Sequence, residues 1–285
     1  MSTHSPGTDP RAPFGARLRH AMDTRGPLCV GIDPHPSLLA DWGLDDDVEG
    51  LRNFTHTVVD ALADRVAVLK PQSAFFERFG SAGVAVLEAA VARAREAGAL
   101  VLMDAKRGDI GSTMAAYADA YLRADAPLHA DAVTLSPFLG FGSLRPALDA
   151  ARESGSGVFV LALTSNPEGA DVQRARGADG RTVAQAVLDR LAAENEGAEP
   201  LGSFGAVVGA TLAEADADLG INGPLLAPGI GAQGATAGDL RRVFGSAAGN
   251  VLPSVSRGVL RHGPDPEALR KAARIEAEQL AEAIG

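Results

Sequence analysis

The stretch Leu100-Val-Leu-Met-Asp104-Ala-Lys106-Arg-Gly-Asp109-Ile110-Gly-Ser-Thr113 decides how the rest of the chain reads. Four apolar residues open it, which suits a strand buried on both faces, and Asp104, Lys106 and Asp109 fall where that strand should end. Opposite charges crowded at one strand end cost desolvation energy unless they hold one another in place, and such paired charges cluster at working sites. A solvated loop would account for Asp109. It would not account for Asp104, which directly follows the apolar run.

Along the rest of the chain the same grammar recurs: a short apolar run, turn residues, then a stretch of helical period. Strands are expected at 28–32, 66–69, 100–103, 132–135, 158–163, 206–208, 225–227 and 251–255, the last interrupted by Pro253. Helices are expected at 48–64, after the second strand with Val84, Leu87, Val91 and Ala94 on one face, and at 112–123, 144–154, 182–195, 211–218 and from Pro266 to the C-terminus. Eight strand units in series with no segment left over predict an α/β chain forming a single (β/α)8 TIM barrel over residues 14–285. Residues 1–13, rich in Ser, Thr, Gly, Pro and Asp, read as a frayed tail.

Composition narrows the function. Of 285 residues 46% are hydrophobic, enough for a large core, and the single cysteine, Cys29, excludes an internal disulfide and fits a reducing compartment. No apolar run reaches the roughly 18 residues of a bilayer span and no leader-like segment opens the chain, so a cytoplasmic protein without a membrane partner is expected. The net charge of −10 argues against nucleic acid as a partner. An anionic small molecule would need a local positive site.

In such barrels the face where strands end is the functional one. The residues there are Asp33, Lys70, Asp104 with Lys106 and Asp109, Ser165, Gln233 and Arg257. Glycines at 229, 231 and 234 let backbone N–H groups approach an anion, Arg257 can fork onto two phosphate oxygens and Gln233 can donate a neutral hydrogen bond, so the last two loops predict a phosphate site. Lys70 and Lys106 sit among carboxylates that favour the ammonium, which suits donation of a proton or hydrogen bond; composition leaves a Schiff-base aldolase open. None of the six histidines shows metal-ligand spacing, and His4, His20, His56, His129 and His262 read as structural or solvated. His35 lies two residues past Asp33. Trp42, Tyr117 and Tyr121 read as packing residues.

Asp104-Ala-Lys106-Arg-Gly-Asp109-Ile110-Gly-Ser-Thr113 resembles the signature of the orotidine 5′-phosphate decarboxylase family. Gly31-Ile32-Asp33, Leu69-Lys70-Pro71, Thr164-Ser165-Asn166-Pro167, the 228–234 loop and Ser256-Arg257-Gly258 follow in the family's order, and Lys70-Pro71-Gln72 with the long segment after Pro167 is similar to the longer bacterial subgroup. The resemblance implies decarboxylation of orotidine 5′-phosphate to UMP with no metal or organic cofactor. It implies a catalytic network of Lys70, Asp104, Lys106 and Asp109, with Lys106 the proton donor. It also implies ribose binding by Asp33, pyrimidine binding by Ser165, substrate contact by Pro228, and phosphate binding by Gln233 and Arg257. Finally, it implies a homodimer in which Asp109, Ile110 and Thr113 serve the partner's site. Two other functions stay open on the residues alone: a magnesium-dependent sugar-phosphate decarboxylase or aldolase on a related barrel, and a non-catalytic nucleotide-binding barrel. Arg107-Gly108 and the segment 167–182 carry no role that the sequence explains.

Overall fold

Alternation along short strands decides what faces the barrel axis and what faces the helices. The computed structural model describes residues 12–212, 216–230 and 236–285. Its strands are β1 (Cys29–Ile32), β2 (Val68–Pro71), β3 (Leu100–Arg107), β4 (Ala132–Leu135), β5 (Gly157–Leu163), β6 (Phe204–Val208), β7 (Leu225–Pro228) and β8 (Val251–Val255). They pair in parallel in sequence order, and β8 returns to β1 to close the barrel. The expected (β/α)8 barrel is the fold of this chain.

Inward residues of the lower strands, among them Cys29, Val68, Leu102, Ala132, Phe159, Val207, Leu226 and Leu252, fill the barrel as one apolar cluster. Outward residues such as Val30, Leu69, Met103 and Val133 join the larger cluster between sheet and helices. One pleat period above the apolar layer, the same inward alternation delivers Gly31, Lys70, Asp104 and Thr134. Polar chemistry therefore sits on top of a dry, packed floor. Burial pushes the Cys29 thiol in that floor up to about 12, which makes it an inert core residue.

The lower end is closed by a helix, Phe14–Arg25, that no strand–helix grammar announces. Phe14 is fully buried and meets Phe159 edge-on, with ring centroids 6.0 Å apart. Gly157 admits that ring, since a Cβ there would lie 2.2 Å from it. Burying such a ring contributes about 2–3 kcal/mol by transferred area. Arg17 pairs with the buried Asp131, whose other oxygen accepts from the Val101 N–H at 2.9 Å, so the helix is stitched to β3 and β4. Residues 12 and 13, assigned to the tail in the sequence reading, belong to the helix entry: the Pro13 carbonyl accepts from Ala16 and Arg17, and that of Ala12 from the Arg17 side chain. Residues 1–11 of the expected tail lie outside the described residues.

Two expectations change. Asp104 and Lys106 lie within β3 and Lys70 within β2, not beyond their ends, because charges that neutralise one another can continue a strand into the lumen. The helix expected at 211–218 is irregular wherever it is described. Asp218 instead accepts from the Gly220 N–H at 2.9 Å, a local turn that competes with helix. Remaining strands and helices match within a few residues, including Val48–Leu62, where the Asp47 side chain caps the Gly50 N–H at 2.8 Å. Among the described residues no helix is long and apolar enough to cross a membrane.

His129, buried beside Arg95, Asp131 and Arg17 just before β4, carries a pH consequence. Burial, with the charge of Arg95, lowers its pKa below the usual imidazole value. The unfolded chain then binds a proton that the folded chain resists, so stability is full above about pH 6.5 and falls as pH drops below it. Thermal melting between pH 7.5 and 5.5 should show a decline that is shallower in a His129→Phe protein. An unchanged slope would remove His129 from that account.

Candidate active site

The upper mouth of the barrel encloses a cavity of about 380 Å³ lined by Asp33, His35, Lys70, Gln72, Asp104, Lys106, Ser165, Pro228, Arg257 and others. Its floor is apolar, formed by Leu161, Val207 and Leu226.

Asp104 is the centre of the charge arrangement. Its carboxylate accepts from Lys106 Nζ at 2.7 Å to each oxygen, from Lys70 Nζ at 3.2 Å and from the Thr134 hydroxyl at 2.8 Å. Lys70 Nζ also lies 4.0 Å from Asp33 Oδ1, so carboxylates and ammoniums alternate from Asp33 to Lys106. Burial pushes the Asp104 carboxyl up, but the ammoniums of Lys70 and Lys106 outweigh it and hold the group well below the usual carboxylate range. Burial works against the Lys70 ammonium, and the charges of Asp104 and Asp33 more than offset it, so its pKa is raised. Both groups thus stay charged near neutrality.

Local backbone geometry builds this network. Between Met103 and Arg107 the register of β3 against β4 shifts, and Lys106 takes a left-handed φ of 49°, unusual outside glycine. Such a conformation costs on the order of 1 kcal/mol and persists where its surroundings impose it. Here the Lys106 N–H donates to Thr134 Oγ1 at 3.0 Å, and the side chain turns back onto Asp104 two residues earlier. Thr134 therefore holds both the carboxylate and the backbone of the lysine. It was missed in the sequence, where its only signal is a polar residue at the inward position of Ala132-Val-Thr-Leu.

Asp33 leans over Gly31, where a Cβ would lie 2.9 Å from Asp33 Oδ2 and 3.0 Å from Ser256 Cβ. Asp33 Oδ1 and Ser256 Oγ are buried without a hydrogen-bond partner among the described residues, an arrangement that suits a polar ligand at this edge. Arg257, at the N-terminus of the short helix after β8, is exposed on the cavity wall. His35 also lines the cavity, its ring 4.4 Å from that of Phe75. Gln233 lies outside the described residues.

Asp109, Ile110 and Thr113 are not brought into this cavity. The Asp109 carboxylate accepts from the Ile110 N–H at 2.8 Å, Ile110 is 61% exposed, and Thr113 is exposed on the helix Gly111–Leu122. Arg107 and Gly108, opaque in the sequence, anchor the turn that presents them. Arg107 pairs with Glu77, reaches Tyr121 Oη at 3.3 Å and lies over the Tyr117 ring. Its carbonyl accepts from the Ser136 N–H at 2.7 Å, and a Cβ on Gly108 would stand 2.4 Å from the Ser136 carbonyl oxygen. Trp42 is a packing residue, donating from Nε1 to the Leu260 carbonyl at 2.9 Å. Among the described residues no three His, Cys, Asp or Glu side chains group closely enough to hold a metal ion.

A parallel barrel with a charged cavity at the carboxyl ends of its strands has the architecture of a (β/α)8 barrel enzyme. Residues 26–272 match the model of the orotidine 5′-phosphate decarboxylase / HUMPS family. Orotidine 5′-phosphate decarboxylase of Streptomyces coelicolor is 72% identical over 95% of this chain and 98% of that protein. That of Salinispora arenicola is 67% identical over 95% and 99%. Among solved structures, the OMP decarboxylase of Leishmania donovani superposes with a TM-score of 0.74 at 32% identity, covering 95% of this chain and 99% of that one. The chain belongs to the orotidine 5′-phosphate decarboxylase / HUMPS family.

Proposed function

We propose that this protein decarboxylates orotidine 5′-phosphate to UMP and CO2, the step that completes UMP synthesis, and that Lys106 protonates C6. The observation that carries the reading is the pairing of Lys106 Nζ with both oxygens of Asp104, backed by Lys70, at the mouth of the barrel. Family membership supplies the substrate.

Breaking the bond between C6 and the carboxylate leaves an electron pair in the ring plane, out of reach of the ring π system. Stabilisation on the order of 20 kcal/mol must then come from the protein. A lysine ammonium held at C6 offsets the developing negative charge and passes one N–H proton to C6 as CO2 departs. Solvent returns the proton to the lysine. Asp104, beside the substrate carboxylate, adds repulsion that is relieved when CO2 leaves. The fixed network means that these charges need no reorganisation during the step. In this reading Asp33 binds the ribose hydroxyls, Ser165 and Pro228 the pyrimidine, and Arg257 with Gln233 the phosphate, whose binding energy orients a reacting centre far from it.

The same reading makes the protein a cytoplasmic homodimer with shared sites. Asp109, Ile110 and Thr113 stand outside their own cavity, and the exposed Ile110, Phe138 and Leu139 line the rim beyond β3 and β4, an apolar surface that suits a second copy. No metal or organic cofactor enters the proposed chemistry. Formation of UMP from orotidine 5′-phosphate with EDTA present tests the reading. Folded protein that forms none would refute it, and activity abolished by EDTA would favour a magnesium-dependent relative.

A further inference from the structure

The polar segment after β5 is tied back to the site by a glutamine. It runs as a 3₁₀ turn, Pro167–Gly169, and a short helix, Ala170–Gln173, and between Ala170 and Arg181 every residue except Gln173 is exposed. The Gln173 amide faces back to the strand end. Its Oε1 accepts from the Thr164 N–H at 2.9 Å and its Nε2 donates to Thr164 Oγ1 at 2.7 Å, while the Thr164 hydroxyl donates to Asn166 Oδ1 at 2.6 Å. Thr164 and Asn166 line the cavity on either side of Ser165. Gly169 permits the approach, since a Cβ there would lie 2.9 Å from Thr164 Oγ1 and 3.1 Å from both amide atoms of Gln173. From the opposite side the same turn rests on Gly209, where a Cβ would come within 3.0 Å of the Ser165 nitrogen.

We infer that Gln173 is a positioning residue of the active site, clamping the Thr164–Asn166 turn so that Ser165 meets the pyrimidine ring at a fixed depth. The amide is suited to this because it satisfies one donor and one acceptor of the same residue, which fixes direction as well as distance. A hydrocarbon of equal length fills the space and supplies neither bond. The inference rests on the proposed placement of the pyrimidine at Ser165 and of the phosphate at Arg257, and its consequence differs between the two ends of the ligand. Loss of the clamp loosens the base end and leaves the phosphate end untouched.

The test compares UMP with ribose 5-phosphate by calorimetric titration of the full-length protein, its Gln173→Met and Thr164→Val variants, and the double variant. Gln173→Met should weaken UMP binding about ten-fold, the effect of losing hydrogen bonds of ordinary strength, and leave ribose 5-phosphate binding within two-fold. The double variant should bind UMP no more weakly than the weaker single variant, because both substitutions break the same clamp. Gly169→Ala, which pushes the amide aside without removing it, should weaken UMP in the same direction. Unchanged UMP affinity in Gln173→Met, equal losses for both ligands, or additive losses in the double variant would each overturn the inference. Failure of the unaltered protein to bind UMP would instead refute the functional reading on which it stands.

Discussion

A Lys106→Ala protein is expected to release CO2 from orotidine 5′-phosphate at least about a thousand-fold more slowly than the unaltered enzyme, with KM changed far less than kcat. Removal of one preorganised charge at a reacting centre typically costs two to three orders of magnitude, and removal of a general acid adds to that. In the proposed mechanism one side chain fills both roles. The fold should survive, because the Lys106 side chain is 45% exposed and Asp104 keeps Lys70 at 3.2 Å and the Thr134 hydroxyl at 2.8 Å. Substrate binding should survive too, since Asp33 and Arg257, assigned to ribose and phosphate, line other parts of the cavity. A folded variant within ten-fold of the parent rate would deny Lys106 the role of proton donor.

Subunit exchange gives the second large effect. Asp109→Ala protein should be nearly as inactive as Lys106→Ala, although Asp109 does not line the cavity of its own chain. Mixing the two inactive proteins under conditions that exchange subunits should restore activity, toward about a quarter of the parent value for random pairing with one intact site per mixed dimer. The physical basis is the placement of the β3 segment: Asp104 and Lys106 turn inward, and after the anchored Arg107–Gly108 turn Asp109 and Ile110 point away from the site. Heterodimers verified by mass spectrometry that stay inactive would place Asp109 outside the shared site.

The barrel was legible because its evidence is local and repeated. Apolar runs such as Val158–Leu163 and Val251–Val255 read as buried strands, and their order alone implies parallel pairing. Charge at strand ends was legible for the same reason, since Lys70, Asp104 and Lys106 interrupt apolar runs where solvated residues have no reason to appear. The strand ends were misplaced because hydropathy treats a charge as a stop, whereas Asp104 and Lys106 satisfy each other within the lumen. Thr134 escaped notice because its importance is a contact across strands, and Gln173 because its partner lies nine residues back in a segment without periodic pattern. The Phe14–Arg25 helix was hidden by a different cause: it closes the barrel from below through Phe14 and Arg17, a tertiary role that its own sequence does not announce.

On the proposed mechanism this chain's own charged network stabilises the electron pair and supplies the proton of the decarboxylation. Turnover of orotidine 5′-phosphate in D2O containing EDTA, with CO2 and UMP followed together, puts this to the test. One equivalent of each product is expected, with a single deuterium at C6 of UMP, delivered from the exchanged ammonium of Lys106. Absence of CO2 from folded protein, or UMP formed without deuterium at C6, would contradict it.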